Sequence, residues 1–260
     1  MVVKQLKNLL SFLTIFPIAM DKDLLTDCAN NMWSFPLIGA FIGLIAGVFG
    51  WVAGLFLPII VVGGLVLAML LLITGLHHTD GLLDFGDGIM VHGTPERKIE
   101  IMHDQLTGAG GLSLGIMTML ITALAIGQLR GTILLGGFNV PLIFSGIIVV
   151  EAAAKLSMVV AAWTGKSVHE GMNSAFLKAM HGGKGDLRLI VAVLISFGLA
   201  LPLLGWAGAF TVLAGIFTGL IMVAIAHRNF NGVTGDVFGA TNELARMVCV
   251  IVLLAVITWA

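Results

Sequence analysis

Charge is what this chain has least of. Only 10% of its 260 residues are Asp, Glu, Lys or Arg, against 58% apolar, where soluble domains carry about 25% charged residues. A water-soluble fold could not cover its surface with so few, so lipid is the expected solvent for most of the exterior. Cysteine is nearly absent: Cys28 and Cys249 stand far apart, with no second pair. Neither a disulfide framework nor a Cys-based zinc site is therefore encoded. Net charge is −1, and with no acidic or basic bulk no nucleic-acid partner is expected. A secretory signal is not expected either. Lys4 and Lys7 precede an apolar stretch at 9–20, but Pro17 interrupts it and no small-x-small cleavage site follows. An uncleaved helix lying at the membrane interface fits better.

What is abundant is glycine, 34 residues of it, and small residues let membrane helices approach closely. Gly39, Gly43 and Gly47 form a stripe on one helix face, which reads as helix packing rather than a site. Uncharged runs of about 20 residues occur at 35–57, 59–76, 111–129, 141–163, 189–204, 207–226 and 241–259. The expected fold is all-α: a single integral membrane domain over 1–260 with seven transmembrane helices, an N-terminal interfacial helix and helices in the polar loops. Trp33, Trp163, Trp206 and Trp259 fall near span ends, as interfacial anchors should, whereas Trp51 does not.

Counting spans puts the N-terminus and the segments 77–110, 164–188 and 227–240 on one side. That side holds Lys4, Lys7, Lys22, Arg97, Lys98, Lys166, Lys178, Lys184, Arg188 and Arg228; the other holds only Arg130. The positive-inside rule assigns the charged face to the cytoplasm, which makes this a multi-pass protein of the cell membrane.

The densest chemistry lies in His77-His78-Thr79-Asp80-Gly81-Leu82-Leu83-Asp84-Phe85-Gly86-Asp87-Gly88. Asp80, Asp84 and Asp87 are spaced i, i+4, i+7, which on a helix puts three carboxylates on one face. Like charges so close repel, and no lysine or arginine stands among them, so a hard divalent cation is the expected partner. His77 and His78 are read as ligands, substrate contacts or packed histidines. Asp104 precedes Gly108-Ala109-Gly110-Gly111, where backbone N–H groups can approach a phosphate. A second glycine-rich turn, Asn231-Gly232-Val233-Thr234-Gly235-Asp236, feeds the last span. Span parity puts Asp236 on the same face as Asp80. Glu151 and Lys155, at i, i+4 inside the fourth span, read either as functional residues or as a structural ion pair with each other, and Glu243 and Arg246 stand similarly near the start of the last span.

At these residues the chain resembles the cobalamin synthase (adenosylcobinamide-GDP ribazoletransferase) family. The family's His-x-Asp-Gly-Leu-x-Asp-x-x-Asp-Gly pattern runs from His78 to Gly88, and Glu-Ile-Met-x-Asp-x-x-x-Gly from Glu100 to Gly108. Gly-x-Thr-Gly-Asp-x-x-Gly-Ala followed by Glu-Leu runs from Gly232 to Leu244, with Phe-Leu-Thr-x-x-Pro at 12–17 and Phe-Pro-Leu-x-Gly at 35–39. Departures are Gln105-Leu106 where members often carry Ser-Arg, Lys155 at an often-arginine position, and Arg246 where a second acid often follows.

The resemblance implies a late step of cobalamin assembly. The adenosylcobinamide-phosphate moiety of adenosylcobinamide-GDP passes to the 5′-hydroxyl of α-ribazole or its 5′-phosphate, releasing GMP, with Mg2+ as cofactor. Asp80, Asp84 and Asp87 are then the expected magnesium ligands, with Asp104 and Asp236 completing the site or orienting the nucleophile. One carboxylate, or His78, takes the hydroxyl proton. Substrate contacts are implied at His77, Gly81, Arg97, Lys98, Gly108, Lys155, Lys166, Asn231, Thr234, Gly235 and Glu243. The sequence leaves the oligomeric state open. Two alternatives are a CDP-alcohol phosphotransferase, whose Ala-Arg after Asp-Gly is missing, and a cation or corrinoid transporter, which would hold its carboxylates at mid-membrane.

Overall fold

The computed structural model describes residues 2–16 and 24–259; Pro17, Lys22 and the rest of the apolar stretch from residue 17 onward lie outside the described residues. Helix α1 (Val2–Leu13) is amphipathic and buries Leu9 and Leu13. Its 12 residues reach about 18 Å, short of the hydrocarbon core of about 30 Å. Asn8 Nδ2 donates to Asp27 Oδ2 at 2.8 Å, tying α1 to α2 (Leu24–Asn30).

The central column is α8 (Leu142–Thr164), with 20 of its 23 residues buried, Glu151 and Lys155 among them. It runs antiparallel to α3 (Phe35–Gly54) along the glycine stripe. A Cβ on Gly43 would come within 2.6 Å of the Ile147 carbonyl oxygen, and one on Gly47 within 2.9 Å of that of Phe144. The stripe is thus a packing device, as its sequence suggested. α3 ends at Gly54, earlier than the apolar run, so Trp51 sits in the last turn and is a span-end residue after all.

α4 (Ile59–Ile73) stops at two left-handed residues, Gly75 (φ 66°) and Leu76 (φ 62°). The chain turns by 97° there into α5 (His77–Met90), which carries the acidic motif and lies outside the span formed by α4. α6 (Pro95–Met102) follows, capped by Thr94 Oγ1, which accepts the Arg97 N–H at 3.4 Å. α7 (Ala109–Gly127) then recrosses. At the far end β1 (Thr132–Leu135) and β2 (Phe138–Pro141) form an antiparallel hairpin that the all-helical expectation did not include. Its cause is Gly136-Gly137, both at positive φ, which suits the two-residue turn of a hairpin.

After α8 come α9 (Met172–His181), α10 (Gly185–Phe230) and α11 (Gly235–Trp259). The 46 residues of α10 form two arms, because Gly205 breaks the helix (φ 56°, ψ −135°) three residues after Pro202. A Cβ on Gly208 would strike the Ala200 carbonyl oxygen, residues that would lie about 12 Å apart along an unbroken helix. The arms 185–204 and 206–230 therefore fold back on each other. Their outer ends meet the same segment: Trp163 Nε1 donates to Asp186 Oδ1 at 2.8 Å, and the Lys166 N–H donates to His227 Nε2 at 3.1 Å.

Among the described residues five helices are long and apolar enough to cross a bilayer, six with the bent α4–α5 pair. Dividing α10 at Gly205 gives the seven spans expected. Their outward faces are apolar: Phe41, Leu44 and Val48 on α3, Leu112, Ile116 and Leu120 on α7, Leu194 and Phe217 on α10 are all exposed, as a lipid-facing belt requires.

Buried charge inside the bundle pairs differently from the sequence expectation. Arg246 of α11 donates through Nε to Glu151 Oε1 at 2.5 Å and through Nη2 to Oε2 at 3.1 Å, while its Nη1 reaches Glu243. Lys155 Nζ instead donates to Asn242 Oδ1 at 2.6 Å. The i, i+4 pair Glu151–Lys155 is corrected on this point: Arg246 takes both oxygens of Glu151 from across the helix interface. The Glu243–Arg246 contact is present.

The packing makes a contrast of two glycines testable. Gly43→Leu should lose about 1–3 kcal/mol or more and fail to run as a monodisperse peak in detergent. Gly64→Leu, on open α4 surface with nothing within 4 Å of its Cβ position, should fold normally; equal behaviour of the two would contradict this interface.

Candidate active site

The acidic helix α5 lies between the first turns of α7 and α11, and glycines set how closely. A Cβ on Gly81 would come within 2.9 Å of the Asp236 backbone, one on Gly239 within 3.0 Å of the His78 carbonyl oxygen, and one on Gly86 within 2.8 Å of Gly111 Cα. Gly88 meets the Met102 side chain of α6. The glycines interleaved with the aspartates are thus contact points on three sides, leaving one face of α5 for its carboxylates.

Asp80 on that face is exposed, Asp84 and Asp236 are half-buried. Asp84 is pushed up to about 7, by burial first and then by the charges of Asp236, Asp80 and Asp87. The close approach of Gly81 to the Asp236 backbone puts the last span's first turn beside the motif. Asp236 Oδ2 accepts from Thr234 Oγ1 at 3.3 Å and lies 4.0 Å from His103 Nε2. His103, the residue before Asp104, was not singled out by the sequence reading; it also stacks edge-on with His169, ring centroids 6.2 Å apart.

Asp87 is turned to another task. The Gly108 N–H donates to its Oδ2 at 2.6 Å and the Gly111 N–H to its Oδ1 at 2.8 Å, so its carboxylate caps α7. Asp87 is correctly placed by its spacing, but both oxygens are occupied by α7. Gly108 serves this cap. Asp104 is exposed, and its Oδ1 accepts the Leu106 N–H at 3.1 Å in a local turn.

Thr234 caps α11, its Oγ1 accepting the Val237 N–H at 3.3 Å, with Gly235 exposed beside it. Asn231 ends α10 in a left-handed conformation (φ 60°). Lys98 Nζ donates to Asn229 Oδ1 at 2.6 Å, Arg97 pairs with Glu100 at 2.6 Å in the open, and Lys166 is exposed. Lys155 and Glu243 are buried to 0% and 1% exposure in the Arg246 network and do not reach the open face. His77 is exposed. His78 is buried, its Nδ1 without a hydrogen-bond partner. Burial first, then the Lys155 and Arg246 cations, hold its imidazole well below the usual histidine range, so it stands neutral.

Among the described residues no group of three or more His, Cys, Asp or Glu side chains is arranged to hold a metal ion by itself. The donor chemistry nonetheless fits a hard divalent cation. Asp80, Asp84 and Asp236 offer carboxylate oxygens that repel one another, and an ion that keeps its waters or takes phosphate oxygens needs no cage of protein ligands.

Asp87→Ala should lower the melting temperature of the purified protein by several degrees, for a lost cap of about 1–2 kcal/mol, and Asp104→Ala, in an exposed turn, by much less. Equal melting of Asp87→Ala and the parent would show that α7 does not depend on that carboxylate.

A family model described as Cobalamin-5-phosphate synthase matches residues 5–254. Among curated relatives, "Adenosylcobinamide-GDP ribazoletransferase" of Methanocella arvoryzae is 32% identical over 264 residues, covering 97% of this chain and 96% of the relative. Proteins of the same name from Methanococcoides burtonii (30% identical, 97% and 92% covered) and Thermococcus kodakarensis (30%, 98% and 99%) are similar along their whole length. No solved structure matches. With the match running from α1 into α11 and through every acidic element just described, the chain belongs to the cobalamin-5-phosphate synthase family.

Proposed function

We propose that this protein is a membrane-embedded transferase that moves the adenosylcobinamide-phosphate moiety of adenosylcobinamide-GDP onto a free ribose hydroxyl of α-ribazole or of its 5′-phosphate. GMP is released, and adenosylcobalamin or its 5′-phosphate forms. The single observation that carries this reading is the approach of Asp236 on α11 to the acidic helix at Gly81, beside Asp80 and some 150 residues earlier in sequence. The curated relatives' shared name supports the substrate pair.

The 5′-hydroxyl expected from the sequence is corrected, because α-ribazole 5′-phosphate has none free and its product keeps that phosphate. The oxygen of another ribose hydroxyl forms a bond to the phosphorus that carries cobinamide, the bond from that phosphorus to the GMP oxygen breaks, and the hydroxyl proton passes to a base. Asp80, Asp84 and Asp236 would hold Mg2+, which when bound supplies the positive charge that a pyrophosphate and its leaving group need. The proton acceptor comes from these carboxylates or neutral His78, and each is placed on or beside α5. Asp87 keeps the α7 N-terminus against α5 and Thr234 caps α11, and Lys98 and Lys166 supply positive charge at the rim. The charge asymmetry of the loops supports a cytoplasmic orientation of this face, at the cell membrane.

Incubating the purified protein with adenosylcobinamide-GDP, α-ribazole and Mg2+ should release GMP, and Asp84→Ala or Asp236→Ala should lower the rate at least about 100-fold. Metal flux into liposomes without GMP release would favour a transporter instead. A second outcome follows from the raised Asp84 carboxyl. A cation must displace its proton, so apparent divalent-metal affinity should be full above about pH 7 and fall as pH drops below it, by up to about tenfold per unit. Titration with Mn2+ followed by electron paramagnetic resonance reads this directly; a flat profile from pH 8 to pH 5.5 would exclude Asp84 as a ligand.

A further inference from the structure

Beneath the acidic face lies a cavity of about 590 Å3 that the reading above does not use. It is enclosed by α1, α2, α9 and the first turns of α5 and α11. Its walls are largely apolar and aromatic, with Phe12, Leu25, Phe35, Phe176 and Phe238 prominent. Phe176 stands 5.3 Å from Phe12 and 6.0 Å from Phe35, centroid to centroid, so three rings gather on one side. Few polar groups enter. The most telling is His78, 7% exposed, which lines the cavity and leaves a buried Nδ1 without a partner. The cavity also takes in Gly235 and Gly239, which flank Asp236 on α11. It therefore reaches the first turn of α11, where Asp236 stands next to Gly235.

We infer that this cavity binds the acceptor nucleoside, its fused, apolar aromatic base among Phe12, Phe35 and Phe176 and its ribose passing His78 toward Asp236. The inference rests on the ribazole-transfer reading. The volume lies within the range of roughly 300–1,000 Å3 usual for small-molecule sites, and apolar walls with a few convergent polar groups are their usual character. The other substrate is excluded by chemistry: a corrinoid is too large and too fringed with amides, and a guanine would leave its several donors and acceptors unpaired against phenylalanine. A base with no exocyclic polar group is the fragment these walls suit. The nucleoside then enters from the α1–α2–α9 side, and adenosylcobinamide-GDP meets it from the open face bearing Asp80 and Asp84.

Leu25→Trp, which fills the cavity from half-buried α2, tests the assignment. The KM for α-ribazole should rise at least tenfold, with the KM for adenosylcobinamide-GDP within twofold of the parent. Binding of α-ribazole alone, followed by its own fluorescence without the second substrate or metal, should weaken in parallel. GMP release with an unchanged KM for α-ribazole in Leu25→Trp would overturn the cavity assignment and leave the activity standing. Nucleoside binding that Leu25→Trp abolishes, in a protein that releases no GMP, would do the reverse. Photolabelling the parent with an azidobenzimidazole riboside is independent of any variant's folding. Labels within 10–16, 24–35 or 172–180 support the site; labels confined to 98–108 or 166–170 sink it, as does native mass spectrometry showing a phospholipid in the cavity that excess nucleoside does not displace.

Discussion

Arg246 is held between two carboxylates, Glu151 across the interface on α8 and Glu243 one turn back on its own helix, with all three side chains out of reach of solvent. In a hydrocarbon surrounding an unpaired charge is untenable, and removing one partner of a buried pair leaves the other uncompensated. α11 is therefore fixed against α8 in both height and rotation. Its start follows from that: ten residues before Arg246, Asp236 comes to rest on Gly81 of α5. Lys155 and Asn242 add a second rung beside the first.

The polar end is built on the same closeness. α5 is clasped by α7 and α11 because glycines remove the side chains that would hold them off, and Asp87 completes the clasp by accepting two backbone N–H groups of α7. The motif thus alternates along a single helix: glycines and Asp87 join neighbours, while Asp80 stays exposed and Asp84 half-buried on the remaining face. Removing either set disturbs the other, since the carboxylates are aimed by the packing and the packing brings like charges together.

Much of this was legible beforehand. Ten basic residues against one, sorted by span parity, put Asp236 on the side of Asp80, because charge in a membrane chain is confined to places with water. The break between the two arms of α10 was visible as a gap at Gly205 between apolar runs. What stayed hidden depends on partners far away in sequence. Asp87 shares the spacing of Asp80 and Asp84, yet its oxygens answer backbone N–H groups 21 and 24 residues later, which no local pattern reveals. Lys155 lies one turn from Glu151 but bonds Asn242, 87 residues away. His103 touches Asp236 only because α6 folds back on Gly88. The hairpin at 132–141 had a signal, Gly136-Gly137, that was submerged in an apolar stretch.

The right-angle turn at Gly75 and Leu76 decides depth. Had α4 continued straight, its next two turns would have carried His77, His78, Asp80 and Asp84 onward along the bilayer normal, and substrates would have to be threaded after them. Laid sideways instead, the hydrophilic helix rests at the rim like a shelf. A bulky, water-loving molecule can be worked on there without leaving water, while a smaller, greasier partner is drawn from below.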